Sequence, residues 1–166
     1  MEINFLILLA ATLIPLVVGF IWYNKKVFGV AWMKAAGVSE DSAKNANMGL
    51  IFGLTVLFSF FIAFMMQSMV IHQFSVFGLL SQQPDFKTEG SESSMMLKRF
   101  QELYWGSYRT FKHGAFHGTL TALFFAIPIL GINSLFERKG FKYIAINGGY
   151  WIVSLALMGG VICAFS

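Results

Sequence analysis

Charge is what this sequence has least of. Of its 166 residues, 12% are Asp, Glu, Lys or Arg, about half the share of a soluble domain. With 57% hydrophobic residues, that excludes a disordered chain and argues against an ordinary soluble enzyme. The lone cysteine, Cys163, excludes an internal disulfide and any metal motif built from cysteines. Missing too are a glycine-rich phosphate loop, a nucleophile elbow and facing carboxylates. The net charge of +4 comes from scattered Lys and Arg with no basic cluster among aromatics, which argues against nucleic acid and for a membrane surface.

The charges that exist are unevenly placed. Glu2 stands alone, six lie between Lys25 and Lys44, nine between Asp85 and Lys112, and four between Glu137 and Lys142. Residues 3–24, 45–84, 113–136 and 143–166 carry none. A helix crossing the hydrocarbon needs roughly 20 apolar residues. The sequence therefore predicts an all-α polytopic membrane protein, one four-helix domain over 1–166, with spans near 3–23, 47–71, 114–135 and 143–164. The first run continues to Trp22 and Tyr23 and lacks a basic start, so it reads as a span and not a cleaved signal peptide. Pro15 and Pro128 fall inside apolar runs and can kink them.

Two connecting segments carry amphipathic patterns. In loop 24–46, Phe28, Trp32 and Met33 share one side of a short helix near 27–36, with Gly37 as its stop. Ser39 caps the start of the next helix, with Glu40 and Asp41 in its first turn. In loop 82–112, Met96, Phe100, Leu103, Tyr104, Tyr108 and Phe111 recur every three or four residues, predicting an interfacial helix near 94–111. Residues 137–142 make a tight hairpin.

Orientation follows from Lys and Arg near the span ends. Loops one and three hold seven, and the opposite side holds five. That margin places loops one and three in the cytoplasm, and both termini and loop 82–112 outside. Aromatic belts fit these boundaries: Trp22, Tyr23, Trp32 and Tyr143 on one face, Tyr104, Trp105 and Tyr108 on the other.

At Gly19-Phe20-Ile21-Trp22-Tyr23, Phe28-Gly29 and Ala31-Trp32-Met33, and again at Asn133–Arg138, Gly149-Tyr150 and Ser154–Gly159, the chain resembles small bacterial membrane proteins grouped as domain of unknown function 1761. The resemblance covers roughly 3–36 and 113–162, with 73–112 more individual. It implies a four-helix membrane domain in the bacterial cytoplasmic membrane and supplies no catalytic residues.

Candidate chemistry is confined to a few side chains. His113 and His117 stand four apart on one helix face, and His72 ends the second span at the same membrane side. Three imidazoles there are a candidate zinc, copper or haem site, with Phe74, Phe111 and Phe116 available to line a haem slot. The preferred reading is simpler: interfacial histidines bonded to backbone, water or headgroups, with no cofactor. Asn133, Ser134 and Glu137 read as caps of the hairpin, and Tyr150 and Trp151 lie deep enough to need partners inside a bundle. Small residues at spacing four, Gly49/Gly53, Gly114/Gly118, Ala122/Ala126 and Ala156/Gly160, mark close helix packing, inside the bundle or between two copies of it.

No charge lies in mid-span, against a proton- or ion-coupled carrier. The leading expectation is a non-catalytic accessory or interaction subunit, working in the bilayer with another membrane protein or with itself. A carrier or channel formed by a homodimer, and a haem- or metal-binding redox protein, are the alternatives.

Overall fold

The computed structural model describes residues 3–39, 41 and 46–166. Among these the chain is all-α. Four helical stretches are long and apolar enough to cross a membrane: Phe5–Trp22, Met48–Val70, Phe111–Phe136 and Phe141–Phe165. Each follows a charge-free run, with Lys112 and Lys142 at the second residue of the third and fourth, because an ionised side chain in hydrocarbon is the costliest residue a span can carry.

Two spans are interrupted near their prolines. The first divides into α1 (Phe5–Thr12) and α2 (Ile14–Trp22), with Pro15 in the first turn of α2. Proline offers no N–H and its ring crowds the carbonyl four residues back, so the helix restarts just ahead of it. The third span runs as α7 (Phe111–Thr121), a π turn (Ala122–Ala126) and α8 (Ile127–Phe136), with Pro128 opening α8. A π turn inserts one residue into the helical repeat and pushes the following side chains aside.

Span two is α4 (Met48–Val70) and span four is α9 (Phe141–Phe165). Over an 18-residue apolar stretch of each span, half of the fourth is buried inside the protein (50%), against 11% for spans two and three and 28% for the first. Helix α9 is therefore the axis on which the others pack. Its tightest seam is with α7: a Cβ on Gly118 would fall on the Leu155 carbonyl, and Gly114 and Gly159 each block the other with backbone. Glycine is required there because only a missing side chain lets two backbones come so close. Of the small-residue pairs, Gly114/Gly118 and Gly160 serve this packing, whereas Gly53 meets nothing. Gly49/Gly53 thus lies on an outward face and makes no close helix contact within the chain.

Aromatic polar tips tie α2 to α9. Trp22 Nε1 donates to the Ile146 carbonyl (3.0 Å), Tyr23 OH to Asn147 Oδ1 (2.8 Å), and Tyr150 OH to the Pro15 carbonyl (3.0 Å). These residues are cross-links between spans as well as belt aromatics. Trp32 joins them edge-on to Tyr23, with ring centroids 5.4 Å apart.

The short helix expected near 27–36 is α3 (Gly29–Ala36), stopped at Gly37 in a left-handed conformation (φ 73°). The cap expected at Ser39 with Glu40 falls partly outside the described residues. The 94–111 expectation needs correction. Helix α6 spans Glu92–Tyr104, and Trp105–Thr110 then turn into span three, with Tyr108 at φ 61°. A further helix, α5 (Gln73–Leu80), follows span two where none was expected. The 137–142 hairpin closes on backbone: Lys139 N–H reaches the Ser134 carbonyl (2.8 Å) and Arg138 adopts φ 56°. Lys139 Nζ also reaches the Ala36 carbonyl, joining loops one and three.

Candidate metal centre

The end of α4 and the start of α7 meet at one end of the bundle because the Gly114/Gly118 seam fixes α7 against α9. This brings together the three histidines. His72 follows the extended residue Ile71 and opens α5, while His113 and His117 occupy the first two turns of α7. Their ring centroids are 5.0 Å apart for His72–His113 and for His72–His117, and 4.5 Å for His113–His117. His72 Nε2 and His113 Nε2 lie 3.0 Å apart, and one ring nitrogen from each of the three fits within 4.8 Å. This is the group of potential ligands found among the described residues.

Zinc–imidazole bonds of about 2.0–2.1 Å at a tetrahedral angle put ligand nitrogens about 3.3 Å apart. The His72–His113 separation, that of a hydrogen bond between the two rings, is a few tenths of an ångström from that value. The 4.8 Å span of the three nitrogens has to contract to it before all three enclose an ion. Three protein nitrogens leave a fourth position open. A haem between His72 and His113 would need these nitrogens on opposite sides of a porphyrin, and they are in contact instead. Of the phenylalanines available for such a slot, Phe111 turns to Gly160, Phe74 packs on the core, and Phe116 stays beside His117 (centroids 5.6 Å).

A second layer of contacts holds the frame. Gln73 is buried (3% exposed), and its Nε2 sits 3.2, 3.0 and 3.0 Å from the carbonyls of Tyr104, Trp105 and Ser107. That amide clamps the turn between α6 and α7 against the residue next to His72. Arg109 Nε donates to the Cys163 carbonyl (3.0 Å) and Nη2 to the Ser166 carbonyl, fastening the turn to the end of α9. Partial burial draws the Arg109 guanidinium below its ordinary pKa. Thr110 caps α7, its Oγ1 accepting from His113 N–H (3.2 Å). The clamped turn lays Tyr108 over His113, with ring centroids 5.2 Å apart. Its positive φ costs energy for a bulky residue, a kind of strain that gathers at functional sites.

The other residues singled out in the sequence stand elsewhere. Asn133 and Glu137 are exposed at the far end of span three, Ser134 back-bonds to the Leu130 carbonyl (2.6 Å), and Tyr150 is buried on α9. Gln73, Arg109 and Tyr108 were missed as site residues. A Gln directly after a candidate ligand was the available signal for the first, and nothing local marked the other two.

A family model described as "Protein of unknown function (DUF1761)" matches residues 6–163. The chain belongs to the DUF1761 family. The DUF1761 match takes in all three histidines, Gln73 and Arg109, and runs through 73–112, which the sequence had set apart. No curated protein and no solved structure matches the chain.

Proposed function

We propose that this DUF1761 protein is a multi-pass metal-binding protein of the bacterial cytoplasmic membrane. It holds a divalent transition-metal ion of the zinc class on His72, His113 and His117. The observation that carries this reading is the meeting of three imidazoles, one just past the end of span two and two from span three, with Nε2 of His72 and His113 at 3.0 Å. The clamps of Gln73 and Arg109 support it, since ligand histidines need their backbone held in register. With loops one and three in the cytoplasm, as their Lys and Arg count favours, the site faces outward and draws its ion from outside the cell.

The test is elemental analysis of protein purified without chelators and washed after exposure to excess zinc. Stoichiometric zinc is expected in the parent chain, and background levels in His113→Ala and His117→Ala. No zinc in the parent chain would overturn the reading.

The accessory-subunit reading stands second. It is favoured by spans two and three, of which an 18-residue apolar stretch is only 11% buried inside the protein, so that both offer wide faces to a partner. A stoichiometric membrane protein co-purifying under mild detergent would move it to first place.

A further inference from the structure

The net charge of this protein belongs to one end of the bundle. Loops one and three hold seven basic residues against three acidic ones, which accounts for the whole +4. The histidine end, with both termini and loop 82–112, holds five of each. There Arg99 pairs with Glu102 (3.3 Å), and Arg109 is engaged by the Cys163 and Ser166 carbonyls. The two ends thus differ in kind: one is balanced and partly paired within the chain, the other carries surplus cations.

At the cationic end the two loops form one surface. Lys139 Nζ reaches the Ala36 carbonyl at the end of α3 and lies 5.9 Å from the centre of the Tyr143 ring. Lys139 therefore works inside the chain, holding α3 against the turn between spans three and four. Lys26, Lys34, Arg138 and Lys142 stay exposed around this joint. Beside them stand the two most exposed large apolar side chains among the described residues, Phe136 (87%) and Phe141 (82%). Phe136 closes span three and Phe141 opens span four, so both rings sit where hydrocarbon gives way to headgroups. Arg138 follows Phe136 by two residues and Lys142 follows Phe141 directly. Val27 next to Lys26, and Val30 on α3, add exposed apolar surface to the same face.

We infer that loops one and three form a single platform for anionic phospholipid headgroups, with Lys26, Lys34, Arg138 and Lys142 at the phosphates and Phe136 and Phe141 among the acyl chains beneath. Cations interleaved with apolar rings at one depth match a molecule whose anionic head sits directly on an apolar tail. An acidic soluble protein would meet the cations and leave the two rings unmatched. Basic residues near an anionic surface attract it over about a Debye length, about 10 Å at 0.1 M salt, so cations held on one joined surface act together. The inference is independent of the metal reading, which concerns the other end of the bundle.

The test measures lipid preference of the full-length protein in bilayers of mixed phosphatidylcholine and phosphatidylglycerol, with a spin label on one lipid or the other. The immobilised fraction of each label counts that lipid in the shell around the protein. Both leaflets carry the same mixture, so the direction of insertion does not alter the count. The parent chain is expected to favour phosphatidylglycerol about twofold or more at low salt, and less as salt rises. Lys34→Gln, Arg138→Gln and Lys142→Gln together should bring the preference close to parity, and the charge-keeping set Lys34→Arg, Arg138→Lys and Lys142→Arg should retain it. Lys87→Gln, Lys98→Gln and Arg99→Gln remove as much charge from the balanced end and should lower the preference by less than half as much. Equal binding of the two lipids by the parent chain overturns the inference, and so do equal losses in the two glutamine sets. An acidic soluble protein that co-purifies with the parent chain and not with the loop variant, without any lipid preference, overturns it in favour of protein docking.

Discussion

Gly118 on α7 faces the Leu155 carbonyl on α9 so closely that a Cβ would overlap the backbone. This contact sets the height of α7 and hence the height of His113 and His117. Overpacking of this kind costs about 1–3 kcal/mol even where side chains can shift, and backbone gives less. Gly118→Ala is therefore expected to lower the thermal midpoint in detergent and weaken metal binding. Gly53→Ala, where the added methyl meets open space, is expected to leave the midpoint level or raise it, since alanine favours helix by about 1 kcal/mol. Equal effects of the two substitutions would contradict the packing assigned to this seam.

Gln73 makes a second, separable prediction. It is a positioning residue, since its amide touches the turn and no ligand atom of the candidate site. Gln73→Leu removes the donor from three carbonyls and frees the turn that carries Tyr108. Because Gln73 acts one step removed from the ligands, the expected loss is about tenfold, the low end of what removing a ligand's own hydrogen-bond partner costs. Zinc titration of metal-free protein should show that weakening while circular dichroism keeps the helix content. Affinity unchanged in Gln73→Leu would place the clamp outside the site.

The polar loop carries a pH dependence. Asp85 Oδ1 accepts from Ser93 Oγ (2.7 Å) and Oδ2 from Ser93 N–H (3.2 Å), at the start of α6. These bonds hold the Asp85 carboxyl below its ordinary value. A depressed carboxylate pKa adds stability that is fully present above the unfolded value, near 3.9, and lost as pH falls through the folded one. Asp85→Asn should speed hydrogen exchange of the Ser93 amide at neutral pH. The parent chain should show the same speeding, after correction for intrinsic rates, only below the ordinary carboxylate range. An Asp85→Asn exchange rate equal to the parent's would remove the bond from the account.

The spans were legible because hydrocarbon excludes charge, and four runs without charge admit one arrangement along the chain. The stop at Gly37 was legible for an equally local reason, a left-handed residue that glycine adopts freely. His113 and His117 shared a face by spacing alone. The approach of His72 was open, because it depends on which helices neighbour each other, and spacing four does not decide that. Gly49/Gly53 and Gly114/Gly118 look alike as sequence, yet one pair faces outward and the other meets α9. The end of α6 was overrun because Tyr108 and Phe111 continue its apolar rhythm. Thr110, which caps α7, marked a new helix within that pattern. Gln73–Leu80 went unread because it continues the apolar composition of span two.

The central claim is that three imidazoles bind one ion, and X-ray absorption at the zinc edge tests it most directly. Full-length protein is loaded with one equivalent of zinc and measured in detergent, then again as His72→Ala. Three imidazole nitrogens at about 2.0–2.1 Å plus one oxygen are expected, falling to two imidazoles in the variant. A zinc shell made only of oxygen, or one that His72→Ala leaves unchanged, would contradict it.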